Sequence, residues 1–184
     1  NRLLILAVFF FSLLFGTNVS GVISSNTTWS LANSPYIVSG NILITEGVTL
    51  TIEAGVEIQI NNDSYMWVQG ELVAEGTASN NITFNPFGKG IHYDDTAVDY
   101  DSLNQTGNRL KYARILNPTD GDFEPVLPMG YGGRHLTNTR TSSSSNGQTS
   151  ILVSNCYFED IETNLNGWGG SNSPEKTFFE NILK

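Results

Sequence analysis

The sequence predicts an all-β chain built as a β-solenoid, and three observations carry that expectation. The first is a pair of matching segments, Tyr36 to Gly47 and Tyr65 to Gly76. Each has an aromatic entry, a short apolar run, a Gly-polar step (Gly40-Asn41, Gly70-Glu71), a second apolar run and a closing Glu-Gly. The step from Tyr36 to Tyr65 is of the size that separates units in stacked-repeat architectures. The second is strict alternation in Val48-Thr-Leu-Thr-Ile52 and Val56-Glu-Ile-Gln-Ile60, which sends apolar residues to one face and polar residues to the other. The third is composition: only 15% of residues are charged, while Gly, Ser, Thr and Asn are plentiful. That suits short strands and tight turns better than helices.

From the N-terminus, Arg2, the apolar run Leu3–Phe15 and the small or polar residues Gly16 to Gly21 have the three parts of a secretory signal peptide. Val19 and Gly21 are small enough to place a cut just before Val22, giving residues 1–21 as leader. The run Leu3–Phe15 is short for a membrane span of about 20 residues, so no stable span is expected after processing. If retained, the run reads instead as an assembly helix of a filament subunit. Residues 22–35 are polar around Trp29 and read as an N-terminal cap over the first repeat.

Residues 36–184 read as the repeats themselves, with irregular insertions at 88–108 and 117–150. In Leu110-Lys-Tyr-Ala-Arg-Ile-Leu116 alternation points Leu110, Tyr112 and Ile115 or Leu116 toward the core, with an irregularity at Ala113–Arg114. Asn155–Ile161 is echoed by Thr177–Ile182, Phe158 matching Phe179. Lys184 follows an apolar run with no capping element, from which the expectation is a natural polypeptide that continues or a partner that covers this end. Cys156 is the only cysteine and lies in the apolar run Ile151–Phe158, so it reads as a small buried hydrophobe rather than a reactive thiol. Asn26, Asn62, Asn81 and Asn104 stand in Asn-x-Ser/Thr sequences.

At this point the residues resemble a known family. The run from Ile23 through Trp29, Ser34-Pro-Tyr-Ile-Val-Ser-Gly40, and Glu46-Gly-Val-Thr-Leu-Thr-Ile-Glu-Ala-Gly-Val-Glu-Ile58 resembles the opening of secreted right-handed parallel β-helix proteins of the pectin-lyase-like superfamily. Leu110–Ile115 and Asn155–Asp160 resemble its standard coils. The resemblance implies a right-handed parallel β-helix with an N-terminal cap, secreted or displayed at the cell surface. It leaves function open, because that fold carries lyases, hydrolases, epimerases, adhesins and structural surface proteins.

Charge narrows the partners. The net charge of −9 and pI near 4.5 supply no basic patch for phosphates, which argues against nucleic acid and against an anionic membrane surface. Asp94-Asp95 resembles the paired aspartates of the hydrolase branch, yet the companion Asn-Thr-Asp, His-Gly and Arg-Ile-Lys motifs are absent, so no catalytic residue is assigned. Asp94, Asp95, Asp99 and Asp101 read either as a solvated acidic loop or as oxygen ligands for Ca²⁺; the expected cofactor is none, or Ca²⁺. His92 and His135 read as surface polar residues. Tyr100, Tyr131 and Trp168 lie in Gly/Asn/Ser contexts outside the regular strands, with Arg134 after a glycine-rich turn. These four are candidate glycan contacts, the aromatics reading alternatively as small local cores under long loops.

Three roles follow. The first is a secreted or cell-surface structural or adhesive protein that contacts polysaccharide or neighbouring surface chains, non-catalytic in this segment. The second is a polysaccharide lyase or hydrolase with catalytic coils beyond residue 184. The third is a subunit of an extracellular filament or sheath that self-assembles by strand addition.

Overall fold

The computed structural model describes residues 16–94, 96–117, 136–138, 151–159, 163–164 and 178–180. Nine strands follow one another closely: β1 (Thr17–Ile23), β2 (Thr27–Trp29), β3 (Tyr36–Ile44), β4 (Thr49–Ile52), β5 (Glu57–Ile60), β6 (Met66–Val68), β7 (Glu71–Glu75), β8 (Ile82–Phe87) and β9 (Ile91–Tyr93). Seven more are β10 (Arg109–Lys111), β11 (Ala113–Ile115), β12 (Leu136–Asn138), β13 (Leu152–Ser154), β14 (Tyr157–Phe158), β15 (Thr163–Asn164) and β16 (Phe178–Glu180). Leu31–Asn33, a single 3-10 turn, is the one helical segment among the described residues. The chain is all-β, and every pairing between these strands is parallel.

The strands fall into two sheets. One has six strands in the order β2-β4-β7-β10-β13-β16, and the other has ten. The larger sheet has two arms that share the long strand β3. One arm stacks β5, β8, β11 and β14 on Tyr36–Val38, and the other stacks β6, β9, β12 and β15 on Ile42–Ile44. The chain visits these faces in a fixed cycle: six-stranded sheet, first arm, second arm, and back. Parallel neighbours are ordinarily joined through a helix. Here the other two faces supply the return path.

Register explains the core. In the six-stranded sheet, Trp29, Ile52, Ala74, Leu110, Val153 and Phe179 occupy one column. In the first arm Tyr36, Ile58, Phe84, Ile115 and Phe158 do the same. Alternation with period two places like residues on like residues, and Ile52, Ala74, Leu110, Ile58, Phe84 and Ile115 are all buried. At the N-terminal end the indole of Trp29 stacks on Tyr36 with centroids 4.8 Å apart, and the Tyr36 hydroxyl accepts from the Ser30 amide at 2.8 Å.

The register also corrects several expectations. Tyr36 lies beside Ile58 and Ile42 beside Met66. One repeat is therefore the step from Tyr36 to Ile58, shorter than the step from Tyr36 to Tyr65 that the matching segments suggest. Those two segments cross different corners: the first joins the two arms within β3, the second joins β6 to β7. Likewise Phe179 sits beside Val153, not Phe158. The segment 88–108 is not wholly irregular, because Ile91–Tyr93 forms β9 with all three residues buried, which erases the alternation. In 110–116 the inward residues are Leu110, Ala113 and Ile115. Tyr112 is instead a one-residue corner at φ 48°, and Asn155 makes the same corner one circuit later at φ 54°. Separately, residues 21 and 22, which flank the expected leader boundary, both lie within β1.

Cys156 is buried, as its sequence context predicts. Its Sγ–H lies 3.4 Å from Leu110 O and 3.3 Å from Ser154 O, and burial pushes its pKa up to about 11. A thiol held in that state is a poor nucleophile.

Candidate functional site

On the second arm Leu43, Trp67 and His92 form an outward column that alternates with the inward residues of their strands, and Thr137 lies in register beside His92. Successive circuits thus place an indole and an imidazole side by side on that face. The indole of Trp67 packs on the His92 imidazole with centroids 4.6 Å apart, and Tyr65 lies 6.4 Å from Trp67. His92 is only 3% exposed, which corrects the surface reading. Burial lowers its pKa to about 4, so it is neutral at physiological pH.

Asp94 anchors this strip. It is 4% exposed, and Oδ2 accepts from the Trp67 indole N–H at 2.9 Å. Oδ1 accepts from the Thr96 amide at 3.1 Å and the Thr96 hydroxyl at 3.0 Å. Both oxygens thus face donors of the chain itself. Asp101 closes a turn: Oδ1 accepts from the amides of Leu103 and Asn104, and Oδ2 from the Asn104 side chain at 2.6 Å. These hydrogen bonds hold its carboxyl below the usual range. Asp99 is exposed, Tyr100 is partly exposed on the same excursion, and among the described residues no three acidic, His or Cys side chains gather as a metal set. Asp95, Tyr131, Arg134, Trp168 and His135 lie outside the described residues.

The excursion that carries Asp99 and Tyr100 is fastened by Asn108, which is fully buried. Its Oδ1 accepts from the Leu72 amide at 2.6 Å, and its Nδ2 donates to Gly70 O at 3.1 Å and Val98 O at 2.7 Å. Beside it, Arg109 pairs with Glu71 at 3.2 Å and Glu75 at 3.1 Å, and Lys111 pairs with Glu75 at 2.8 Å. Burial alone would raise the Glu75 pKa, but the hydrogen bonds from Lys111 and Arg109 outweigh it and leave it lowered. This stretch of the outward face of the six-stranded sheet is therefore a ladder of paired charges.

No family model, curated protein or solved structure matches the chain.

At the corner between the arms, Ser39, Asn61, Asn62, Asp63, Ser64 and Pro86 line an open depression of about 410 Å³. Asp63 and Lys89 pair at its rim at 3.6 Å. Tyr65 follows Ser64 directly in the chain and lies 6.4 Å from Trp67, which in turn packs on His92. Sequence reasoning misses this strip because it looks for glycan contacts in irregular segments, whereas Tyr65 and Trp67 sit at a regular strand. The available signal is Trp67 itself, an aromatic at the polar phase of Met66-Trp-Val68.

Proposed function

We propose that the chain forms the N-terminal part of a right-handed parallel β-helix with an N-terminal cap, and that it acts as a secreted or cell-surface structural or adhesive protein contacting neutral glycans. The cyclic visiting order of three parallel faces, with Ile58 returning beside Tyr36 and Met66 beside Ile42, supports the coil reading. Right-handedness follows the general rule for parallel crossovers. The stack of Trp29 on Tyr36 supports the cap.

One observation carries the glycan reading: Ser64, which lines a depression rich in amides and hydroxyls, is followed directly in the chain by Tyr65, whose ring lies 6.4 Å from Trp67. Sugar rings present apolar C–H faces to aromatic rings and hydroxyls to amides, and this surface offers both. The Asp63–Lys89 pair balances charge at the rim, which favours neutral over polyanionic sugars. Among the residues lining the depression, Asp63 is the one carboxylate, so binding rather than cleavage by an acid–base pair is the activity assigned.

The test is a panel of neutral and acidic polysaccharides with tryptophan fluorescence as readout. A neutral glycan should bind, and Trp67→Ala and Tyr65→Ala should each weaken it by at least about tenfold, the worth of roughly 1.4 kcal/mol of stacking. Tyr65→Ala guards against a folding defect at Trp67. Absence of binding across the panel removes the glycan assignment, and release of reducing ends moves the reading to an enzyme.

A further inference from the structure

We propose that Asn26 is an N-glycan acceptor and that its glycan shields the N-terminal edges of the two sheets. The assignment rests on the secreted reading above, since N-linked sugar belongs to exported chains. Four asparagines stand in acceptor sequences, Asn26, Asn62, Asn81 and Asn104, and the fold ranks them. Whether the sugar is joined before or after folding, the folded chain must leave the amide nitrogen open to water. Asn26 is exposed, and so is Thr28, the hydroxyl residue two places on. The Thr49 amide donates to Asn26 Oδ1 at 2.9 Å. A backbone N–H pairs only with the oxygen of a carboxamide, so that bond commits one end of the side chain. The other end, Nδ2, meets no acceptor among the described residues. The remaining three are less open. Ser64, the hydroxyl residue for Asn62, is 4% exposed. Asn81 is partly buried, and its Nδ2 donates to Thr77 O at 3.0 Å. Asn104 is exposed, but its Nδ2 donates to Asp101 Oδ2 at 2.6 Å within the turn that Asp101 closes.

The place of Asn26 in the fold gives the sugar its role. Asn26 stands directly before β2, where the chain passes from β1 to β2. Among the described residues these are edge strands: β1 lies outside β3 in the larger sheet, and β2 ends the six-stranded one. Sheet edges are commonly guarded by charged side chains against pairing with other chains. Here the run from Gly16 to Thr45 contains no Asp, Glu, Lys, Arg or His, in a chain of net charge −9. Val22 and Leu31, 63% and 53% exposed, flank the same corner. Acidic copies repel one another least where charge is missing, so this end is the one that invites association. A hydrated oligosaccharide on Asn26 supplies by bulk the protection that charge gives elsewhere.

The transfer is a substitution at an anomeric carbon. The donor is an oligosaccharide joined through that carbon to a polyprenyl diphosphate. Asn26 Nδ2 forms the new C–N bond and gives one proton to a base of the transferase. The bond from the carbon to the diphosphate oxygen breaks, and the lipid diphosphate leaves. Oδ1 takes no part, so the hydrogen bond from Thr49 survives.

The experiment expresses the full chain in a eukaryotic secretory host and maps the secreted product by peptide mass, before and after enzymatic removal of N-glycans. Asn26 should be the most fully occupied of the four acceptors and Asn81 the least. Asn26→Gln should lose the sugar mass at this site. Thr28→Ala should lose it too while keeping the bond from Thr49 to Asn26, which separates loss of the glycan from a local folding defect. Both variants should shift from a monodisperse profile to larger particles in light scattering. An exported chain with Asn26 bare, or less occupied than Asn81, overturns the site and leaves export intact. Sugar on Asn26 with equal scattering from the parent and both variants overturns the shielding role. A chain neither exported nor glycosylated removes the secreted reading itself, and the site with it.

Discussion

The Trp67 indole N–H donates to Asp94 Oδ2 at 2.9 Å, tying the outward face of one strand to the residue that follows its neighbour. Asp94→Ala removes the acceptor and leaves that N–H without its partner, at a cost of about 1–2 kcal/mol. Combining it with Trp67→Phe should recover part of the loss, a coupling of about 1 kcal/mol by double-mutant cycle in urea. The loss should be the same with and without added Ca²⁺. A calcium-dependent rise in melting temperature that vanishes in Asp94→Ala would make the carboxylate a metal ligand instead.

Buried His92 makes stability depend on pH. Its pKa falls from 6.5 unfolded to about 4 folded, so the unfolded chain binds the extra proton between those values. Stability is then full above pH 6.5, declines as pH falls through the window at up to ~1.4 kcal/mol per unit, and is wholly lost for this group below about 4. Around it stand the Trp67 ring and the Asp94 carboxylate that holds Trp67. Glu75 acts in the same direction, so the His92 share is the difference between the parent and His92→Phe in melts from pH 7 to 4. Parallel curves for the two would refute the assignment.

Asn108 satisfies three backbone groups with one amide. Asn108→Ala should cost about 3 kcal/mol by urea unfolding. Asn108→Asp should cost more, because a carboxylate oxygen then faces the carbonyls of Gly70 and Val98. The reverse ranking would mean the amide donors are unimportant.

Tyr112 turns a corner at φ 48°, a region that burdens most L-residues by roughly 1 kcal/mol and that asparagine tolerates best. Asn155 already occupies the equivalent corner. Tyr112→Asn should therefore raise the melting temperature by about 2–4 °C in calorimetry. A drop would show that the ring contributes more by packing than the corner costs.

Which elements are legible in the sequence follows from how cleanly burial tracks polarity. Thr49–Ile52 and Glu57–Ile60 alternate without exception and form strands as expected. Cys156 is buried where expected because its small size and apolar neighbours speak for themselves. β9 is illegible because His92 is buried on its outward face, so polarity no longer marks exposure. β1 is hidden by its own composition, since Gly, Ser, Val and Asn read equally as a cleavage region and as an edge strand. The bonds of Asn108 and the Trp67–His92 contact join residues distant in the chain, and only the register brings them together.

The column from Trp29 to Val153 makes tolerance to insertion and deletion quantised. One residue added within Thr49–Ile52 turns threonine inward and leucine outward for the rest of that strand. In the proposed coil, by contrast, a whole circuit such as the step from Tyr36 to Ile58 would be gained or lost with every remaining side chain returned to a neighbour of its own kind. At the corner after β9 the chain already carries residues 94 to 108 without disturbing the pairing of β7 with β10. Growth by duplication and novelty by loop extension are thus both open to this chain, while single-residue slips inside a strand are closed to it.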